Sequence, residues 1–250
     1  MKKRLTLTLN QDLSKNLVKT KADALVIGVN EGRVLNTISA TIDAATNGAI
    51  KKLIKRGEFE AKVGQASYIA TNDGVAAERI YLIGLGKSKK SLSNDDLDKI
   101  SSAITNSLSA KKSSSGLVSL PLSSYDAKDL NDSSFLQKLG TSLESRAYTY
   151  DAKLNKKNKS VNHLKKVSIS IESNESVAKL RKSLRVGQVI GQGMNVAKDL
   201  ANLPGNVCTP SYLASTSRSA ANKFEKLSCR VYGEKEMKKM GMDCLLSVGN

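Results

Sequence analysis

The residues able to do chemistry are few. A single histidine, His163, lies in a lysine-rich segment from Lys153 to Lys166. It has no second imidazole to pair with and no metal-ligand spacing around it. The cysteines, Cys208, Cys229 and Cys244, show no C-x-x-C spacing. They read as small buried apolar residues in reducing surroundings, not as zinc ligands or a disulfide scaffold. A Ser-His-Asp triad would have to use His163, and no G-x-S-x-G elbow exists to present the serine. The carboxylates are dispersed. Asp95-Asp96 suits a helix start, Glu172 and Glu175 flank the first turn of a later helix, and Asp199, Glu225, Glu234, Glu236 and Asp243 spread over the last segment. A two-metal hydrolase needs several carboxylates, often with a lysine, around ions roughly 3.5–4 Å apart. No such set is assembled, so no catalytic, cofactor-binding or metal-ligating residue is assigned and no ion is expected in this chain.

Two glycine pairs resemble ligand loops and fail on context. Gly84-Leu85-Gly86-Lys87 is neither GxGxxG nor GxxxxGK[ST], and the next helix starts several residues later. It reads as a strand end that needs small residues. Gly191-Gln192-Gly193 sits inside a helical pattern without the third glycine or a preceding strand.

Forty basic against twenty-three acidic residues give a net charge of +17. Such an excess attracts anionic surfaces, nucleic acid among them. The lysines are scattered rather than striped, and no aromatic residue interleaves with those of Lys153 to Lys166. A lysine-coated soluble protein is therefore the plainer reading. The start, Met1-Lys2-Lys3-Arg4, is followed by Leu5-Thr6-Leu7-Thr8-Leu9 and then Asn10-Gln11-Asp12. That is no apolar signal core, so export is not expected, and no run approaches bilayer-spanning length.

The elements that would position any site are legible as periodicities. Leu5 to Leu9 alternate as a half-buried strand. Ala24 to Val29 is a continuous apolar run, which suits a strand covered on both faces. Ile38, Ile42, Ala45, Ala49 and Leu53 predict one helix, with Lys51, Lys52, Lys55 and Arg56 in its last turn and Gly57 after it. Ser67–Thr71 and Ile80–Leu85 are strands joined by the turn residues Asn72-Asp73-Gly74. Ser93 starts a helix with the stripe Leu97, Ile100, Ile104 and Leu108. Gly116–Pro121 is a strand, Phe135 to Ala147 a helix, and Val167–Ile171 a strand.

A long helix follows, from about Asn174 to Leu203, on the order of 45 Å. The later positions of its stripe, Gly187, Gly191, Ala197 and Ala201, are small, so that half must lie against a close partner. Pro204 stops it, Gly205 and Asn206 permit the reversal, and Thr209-Pro210 caps and starts the next helix. That helix carries Leu213, Ala220, Ala221, Phe224 and Leu227. Cys229–Tyr232 then reads as a strand, Gly233 to Gly241 as a short helix, and Cys244–Val248 as one more strand. An unpaired strand there would invite aggregation.

Ala197-Lys198-Asp199-Leu200, with Asn202, Pro204, Asn206, Thr209-Pro210 and Leu213-Ala214, resembles the interdomain joint of the leucyl aminopeptidase (cytosol aminopeptidase) family. Tyr148, Tyr150, Asp151 and Lys153, and later Gly233-Glu234-Lys235-Glu236-Met237, Gly241-Met242 and Ser247-Val248-Gly249, are similar to that family too. The resemblance implies an α/β fold: an N-terminal, macro-domain-like mixed sheet flanked by helices in residues 1–172, a linking helix in 173–203, and the truncated start of an α/β catalytic domain in 204–250. It implies a cytoplasmic, homo-hexameric metalloexopeptidase that removes residues such as leucine from peptides with two zinc or manganese ions. The family's metal-binding and catalytic motifs would fall beyond Asn250, so the 250 residues alone are expected to be inactive. The alternative is a non-catalytic nucleic-acid-binding α/β protein. DNA is a further partner in some bacterial members, and membrane is not a partner.

Overall fold

The computed structural model describes residues 5–32, 34–69, 74–88, 92–109, 113–121, 131–150 and 164–248. The chain divides into two units, Met1–Val196 and Ala197–Asn250.

The first unit is built on a six-stranded sheet. Its strands are β1 (Thr6–Leu9), β2 (Ala24–Glu31), β3 (Ala66–Ile69), β4 (Ile80–Lys87), β5 (Ser115–Leu120) and β6 (Lys166–Ile171), in the order β1-β6-β5-β2-β4-β3. β3 runs antiparallel to β4 and every other pairing is parallel. The continuous apolar runs are the central strands: Ala24–Asn30 and Ile80–Gly86 are buried along their length. A parallel strand with helices on both sides has no solvent face, so its sequence has no polar alternation.

The helices are α1 (Thr37–Ala45), α2 (Ala49–Lys55), α3 (Asn94–Ser109), α4 (Asp132–Arg146) and α5 (Val177–Ala201). One core packs Val26, Ile83, Val118 and Ile169 against Ile100 and Ile104 of α3, Leu136 and Leu139 of α4, and Leu180 and Leu184 of α5. The other packs Leu25, Ile27 and Leu82 against Ile38, Ile42 and Ile50 of α1 and α2. The result is a helix–sheet–helix sandwich.

One expectation changes here and one holds. The single helix expected over Ile38 to Leu53 is two, α1 and α2. Thr46 turns its hydroxyl back onto the Ile42 carbonyl (2.7 Å), and Asn47 and Gly48 take positive φ of 52° and 76°. Asp43 then accepts the Lys51 backbone N–H (3.0 Å), satisfying a donor at the start of α2 that the broken helix leaves free. The strand-end reading of Gly84 holds. A β-carbon there would stand 2.0 Å from the Lys62 carbonyl oxygen, so only glycine lets that loop close on β4. The turn residues Asn72 and Asp73, and Lys153 to His163, lie outside the described residues.

The close partner expected for the later half of α5 is present only at Gly187 and Gly191, where it is α4; Ala197 and Ala201, on the same expected stripe, are exposed. A β-carbon on Gly187 would lie 2.0 Å from the Gln137 carbonyl oxygen, and one on Gly191 would lie 2.9 Å from that of Thr141. Gly140 of α4 offers the same clearance to the Leu184 carbonyl of α5 (2.7 Å). Thr141 seals the contact by donating to the Gly187 carbonyl (3.1 Å).

The second unit holds the end of α5, then α6 (Pro210–Lys223), α7 (Glu234–Lys239) and α8 (Asp243–Val248). The joint is as its residues dictate. Thr209 has extended backbone and its hydroxyl accepts from the Tyr212 N–H (3.3 Å), with Pro210 at the first helical position. The two strands expected here are absent. Cys229–Tyr232 forms no strand, and Cys244–Val248 belongs to α8. A run as short as Cys244–Val248, with four apolar residues and Ser247, is compatible with either state. A strand needs a neighbour for its N–H and C=O groups, whereas a helix satisfies them internally, as Leu246 does by donating to Met242 (3.2 Å).

Candidate functional site

Open α/β sheets place ligand sites outside the carboxyl ends of their strands, where the strand order reverses. Here that end lies between β2 and β5. Its described polar groups bond mainly to one another. At the end of β2, Asn36 donates to the Gly28 carbonyl (3.1 Å) and to Asn30 (3.2 Å), while its own carbonyl caps α1 through the Ser39 N–H (2.9 Å). Beyond β6, Glu175 accepts from both the backbone N–H (3.1 Å) and the hydroxyl (2.5 Å) of Ser133 and pairs with Lys179 (2.6 Å). Burial alone would raise the Glu175 carboxyl. The bonds from Lys179 and Ser133 outweigh it and hold the group below its usual range. Burial, with the Glu175 charge nearby, raises Asp132 against a bond from Ser173. These carboxylates tie the starts of α4 and α5 together.

At the opposite end of the sheet, Asp23 latches β2 to β5. Its carboxylate accepts from the Ser114 N–H (2.5 Å) and hydroxyl (2.8 Å) and from the Ser115 N–H (3.2 Å), and its own N–H donates to the Ser115 hydroxyl (3.1 Å). Those bonds, the Ser114 backbone bond foremost, lower its pKa against the effect of burial. A cavity of about 230 Å³ beside it is lined by Lys21, Ala22, Ala76, Glu78 and Ser115. A second cavity, of about 180 Å³, lies between α3, α4 and α5, with Ser102, Ser142, Arg146 and Met194 in its wall. Arg146 there is held by Asn106.

A buried polar network joins α4, α5 and the lead-in to β1. Gln188 donates from Nε2 to the Leu5 carbonyl (2.7 Å) and to Glu144 (3.0 Å), and accepts from Arg185 (3.3 Å). Asn195 donates to the Glu144 carbonyl (3.0 Å). The sequence reading passed over both residues, yet the signal was present. Glu144 adjoins Leu143 at the end of the apolar stripe of α4, and Gln188 follows Leu184 by one turn on that of α5. A polar residue on a buried face requires a partner.

The residues weighed for chemistry do not converge. Asp95 and Asp96 open α3, where the Ser93 hydroxyl caps the helix by accepting the Asp96 N–H (3.2 Å) and the Asp96 carboxylate accepts from the Ser93 N–H (3.0 Å) and hydroxyl (2.9 Å). Cys208, Cys229 and Cys244 are free, and none is buried, contrary to the buried apolar role expected for them. His163 lies outside the described residues. Among the described residues no group of three or more His, Cys, Asp or Glu could hold a metal ion. No described helix is long and apolar enough to cross a membrane.

Comparison with known proteins gives these arrangements a context. The profile described as "Cytosol aminopeptidase family, N-terminal domain" matches residues 26–157, and that of the family's catalytic domain matches residues 195–250. A probable cytosol aminopeptidase of Alkalilimnicola ehrlichii is 33% identical over 238 residues, 94% of this chain and 47% of the relative. One from Nitrosococcus oceani is 32% identical, over 92% of this chain and 45% of the relative. The chain thus spans about half the length of the curated relatives it matches. A variant of tomato leucine aminopeptidase has the same fold, with a TM-score of 0.76 at 17% identity, over 95% of this chain and 46% of that one. The bottromycin maturation enzyme BotP, solved with Mn, matches with a TM-score of 0.58 at 19% identity, over 88% of this chain and 40% of that one.

Proposed function

This chain belongs to the cytosol aminopeptidase family, and on that premise we propose that it is part of a metal-dependent aminopeptidase that releases N-terminal residues such as leucine from peptides in the cytoplasm. The observation that carries the reading is the paired match: one profile over the sheet unit and a second, for the catalytic domain, beginning in α5 and running through the joint. We propose the boundaries 1–172 for the N-terminal domain, 173–203 for the linking helix and 204–250 for the opening of the catalytic domain.

The reaction of such an enzyme draws on two divalent ions, manganese or zinc, which supply an activated water and polarise the peptide carbonyl. Manganese gains support from its presence in the BotP structure. The described residues do not fit the role of ligands, because their carboxylates are dispersed and bound to serines, lysines and backbone. No catalytic step is therefore assigned to them. Their part is to build the scaffold, and the 250 residues by themselves are proposed to be inactive. Assembly as a homo-hexamer belongs to the same proposal.

The test compares the protein purified from its own cells with the 250-residue chain, both assayed for leucine release from a leucyl peptide with added manganese or zinc. Metal-dependent release by the native protein alone is the expected result. Failure of the native protein to release leucine would overturn the reading, and release by the 250-residue chain would overturn its inactivity. The intact mass of the native protein, near 26.8 kDa or near twice that, decides which polypeptide acts.

A second reading, DNA binding, draws support from the net charge and from Lys179, Arg181, Lys182 and Arg185, all exposed on α5. Affinity falling steeply with salt would support it; no binding at physiological salt would sink it.

A further inference from the structure

The cavity of about 180 Å³ between α3, α4 and α5 takes no part in the proposed function, and its wall is chemically uniform. The hydroxyls of Ser102, Thr105, Thr141, Ser142 and Ser145 line it with the Arg146 guanidinium, and Met194 is its apolar side chain. No carboxylate stands in that wall. Glu144, adjacent in sequence, is buried and bonds to Gln188 instead. The space is roughly six waters' worth at about 30 Å³ each, enough for a phosphate group and little more.

The polar groups divide into donors and acceptors. Thr105 donates to the Ser101 carbonyl (2.6 Å), and Thr141 donates to those of Gln137 (2.9 Å) and Gly187 (3.1 Å), so both hydroxyls have only lone pairs left to offer. The Ser102 and Ser142 hydroxyls make no bond among the described residues and keep their protons to donate. Arg146 is held by the neutral amide of Asn106 and meets no carboxylate among the described residues, so its charge is fixed in place and uncompensated. Arg79, by contrast, meets Glu78 (3.6 Å), and Arg56 meets Glu58 (3.8 Å). Asn106 takes one guanidinium nitrogen, which leaves the rest of a planar fork that suits an oxyanion. A second observation points to the same place. Four buried side-chain polar atoms lack a partner among the described residues, and two of them, Ser101 Oγ and Asn195 Oδ1, belong to residues adjoining Ser102 and Met194 of the wall. Native folds leave few such atoms without a polar group from water or ligand.

We propose that this cavity binds a small phosphate that also carries an O–H group: inorganic hydrogenphosphate or a hydroxyl-bearing ester of it. Arg146, Ser102 and Ser142 donate to its anionic oxygens, and its O–H donates to the lone pairs of Thr105 or Thr141. The bound anion ties α3, α4 and α5 together. The proposal is independent of the family reading, and no step of peptide hydrolysis enters it.

The probes are inorganic phosphate and glycerol 3-phosphate, titrated into the protein purified from its own cells and into the same polypeptide carrying Arg146→Gln or Ser142→Ala. Amide hydrogen exchange is read in α3 and α4, where binding slows local opening by a factor of 1 + [L]/Kd, about tenfold at ten times Kd. Slowing that saturates with one or both probes is expected. The half-saturating concentration should rise roughly tenfold or more in Arg146→Gln, which loses charged donors, and about two- to tenfold in Ser142→Ala, which loses a neutral one. Arg146 is exposed, so its replacement leaves exchange without phosphate unchanged, and Ser142→Ala reads the same site independently. Sulfate carries charge without an O–H and is expected to bind roughly tenfold more weakly. A half-saturation unchanged in Arg146→Gln would place the anion elsewhere, at a metal or on the lysine-rich surface, and overturn the proposal. So would no slowing with either probe, or sulfate binding as tightly as phosphate.

Discussion

Gly187 of α5 lies so close to Gln137 of α4 that a β-carbon on it would stand 2.0 Å from the Gln137 carbonyl oxygen. Gly193, six residues on in the same helix, has nothing within 4 Å of the same position. The two glycines therefore separate packing from propensity. Gly187→Ala forces the backbones of α4 and α5 apart and costs about 1–3 kcal/mol. Gly193→Ala gains about 0.5–1 kcal/mol, because alanine loses less backbone entropy in a helix. Thermal melts of the two variants are expected to move in opposite directions. A Gly187→Ala melt at or above the parent's would refute the close packing.

Gln188 is expected to be the costliest polar residue to remove. Gln188→Leu leaves the Leu5 carbonyl and the buried Glu144 carboxylate without their donor. An unsatisfied buried acceptor costs about 1–3 kcal/mol, more when charged. A loss of about 2–4 kcal/mol in urea unfolding is the expected result. Gln188→Leu with Glu144→Leu should recover part of that loss, and a double variant no better than the single would count against the pairing.

Asp23 should make stability pH-dependent at the acid end. Its folded pKa is depressed by the bonds from Ser114 and Ser115. The unfolded state then binds protons more readily, so the contribution is complete above the ordinary value of 3.8 and is lost as pH falls through the lower folded value. Asp23→Asn should flatten the fall in unfolding free energy across that window relative to the parent. A fall of equal slope in both proteins would assign the effect to other groups.

Ser119 marks a place where the fold is not optimised. It is fully buried in β5, and its hydroxyl oxygen has no hydrogen-bond partner among the described residues. Ser119→Ala removes that group and is expected to be neutral or to gain up to about 1 kcal/mol, seen as an unchanged or raised melting temperature. A marked drop would show that the hydroxyl has a partner.

Much of the sheet unit was legible because its signals are local. Strands β2 and β4 announce themselves as uninterrupted apolar runs, and the Thr209-Pro210 start of α6 as capping chemistry. The small face of α5 correctly demanded a close partner at Gly187 and Gly191, though not which one, and wrongly at Ala197 and Ala201, which are exposed. The break between α1 and α2 was missed because the apolar spacing runs on through it, while Asp43 and Gly48 supply the competing geometry. The last apolar run was misassigned because its sequence suits a strand only if a neighbouring strand is there to pair with it.

The sequence by itself determined the apolar runs of β2 and β4, the buried stripes of α3 and α4, the Thr209-Pro210 start of α6 and the resemblance to a family. Those properties are written in residues a few positions apart. The tertiary structure alone decided the strand order, the choice of α4 as the partner of α5, and the pairing of Asp23 with Ser114, of Glu144 with Gln188 and of Gln188 with Leu5. Those pairs lie 91, 44 and 183 residues apart. No local periodicity encodes such a distance: a buried polar group shows only that it needs a partner, and the topology of the sheet determines which one is within reach.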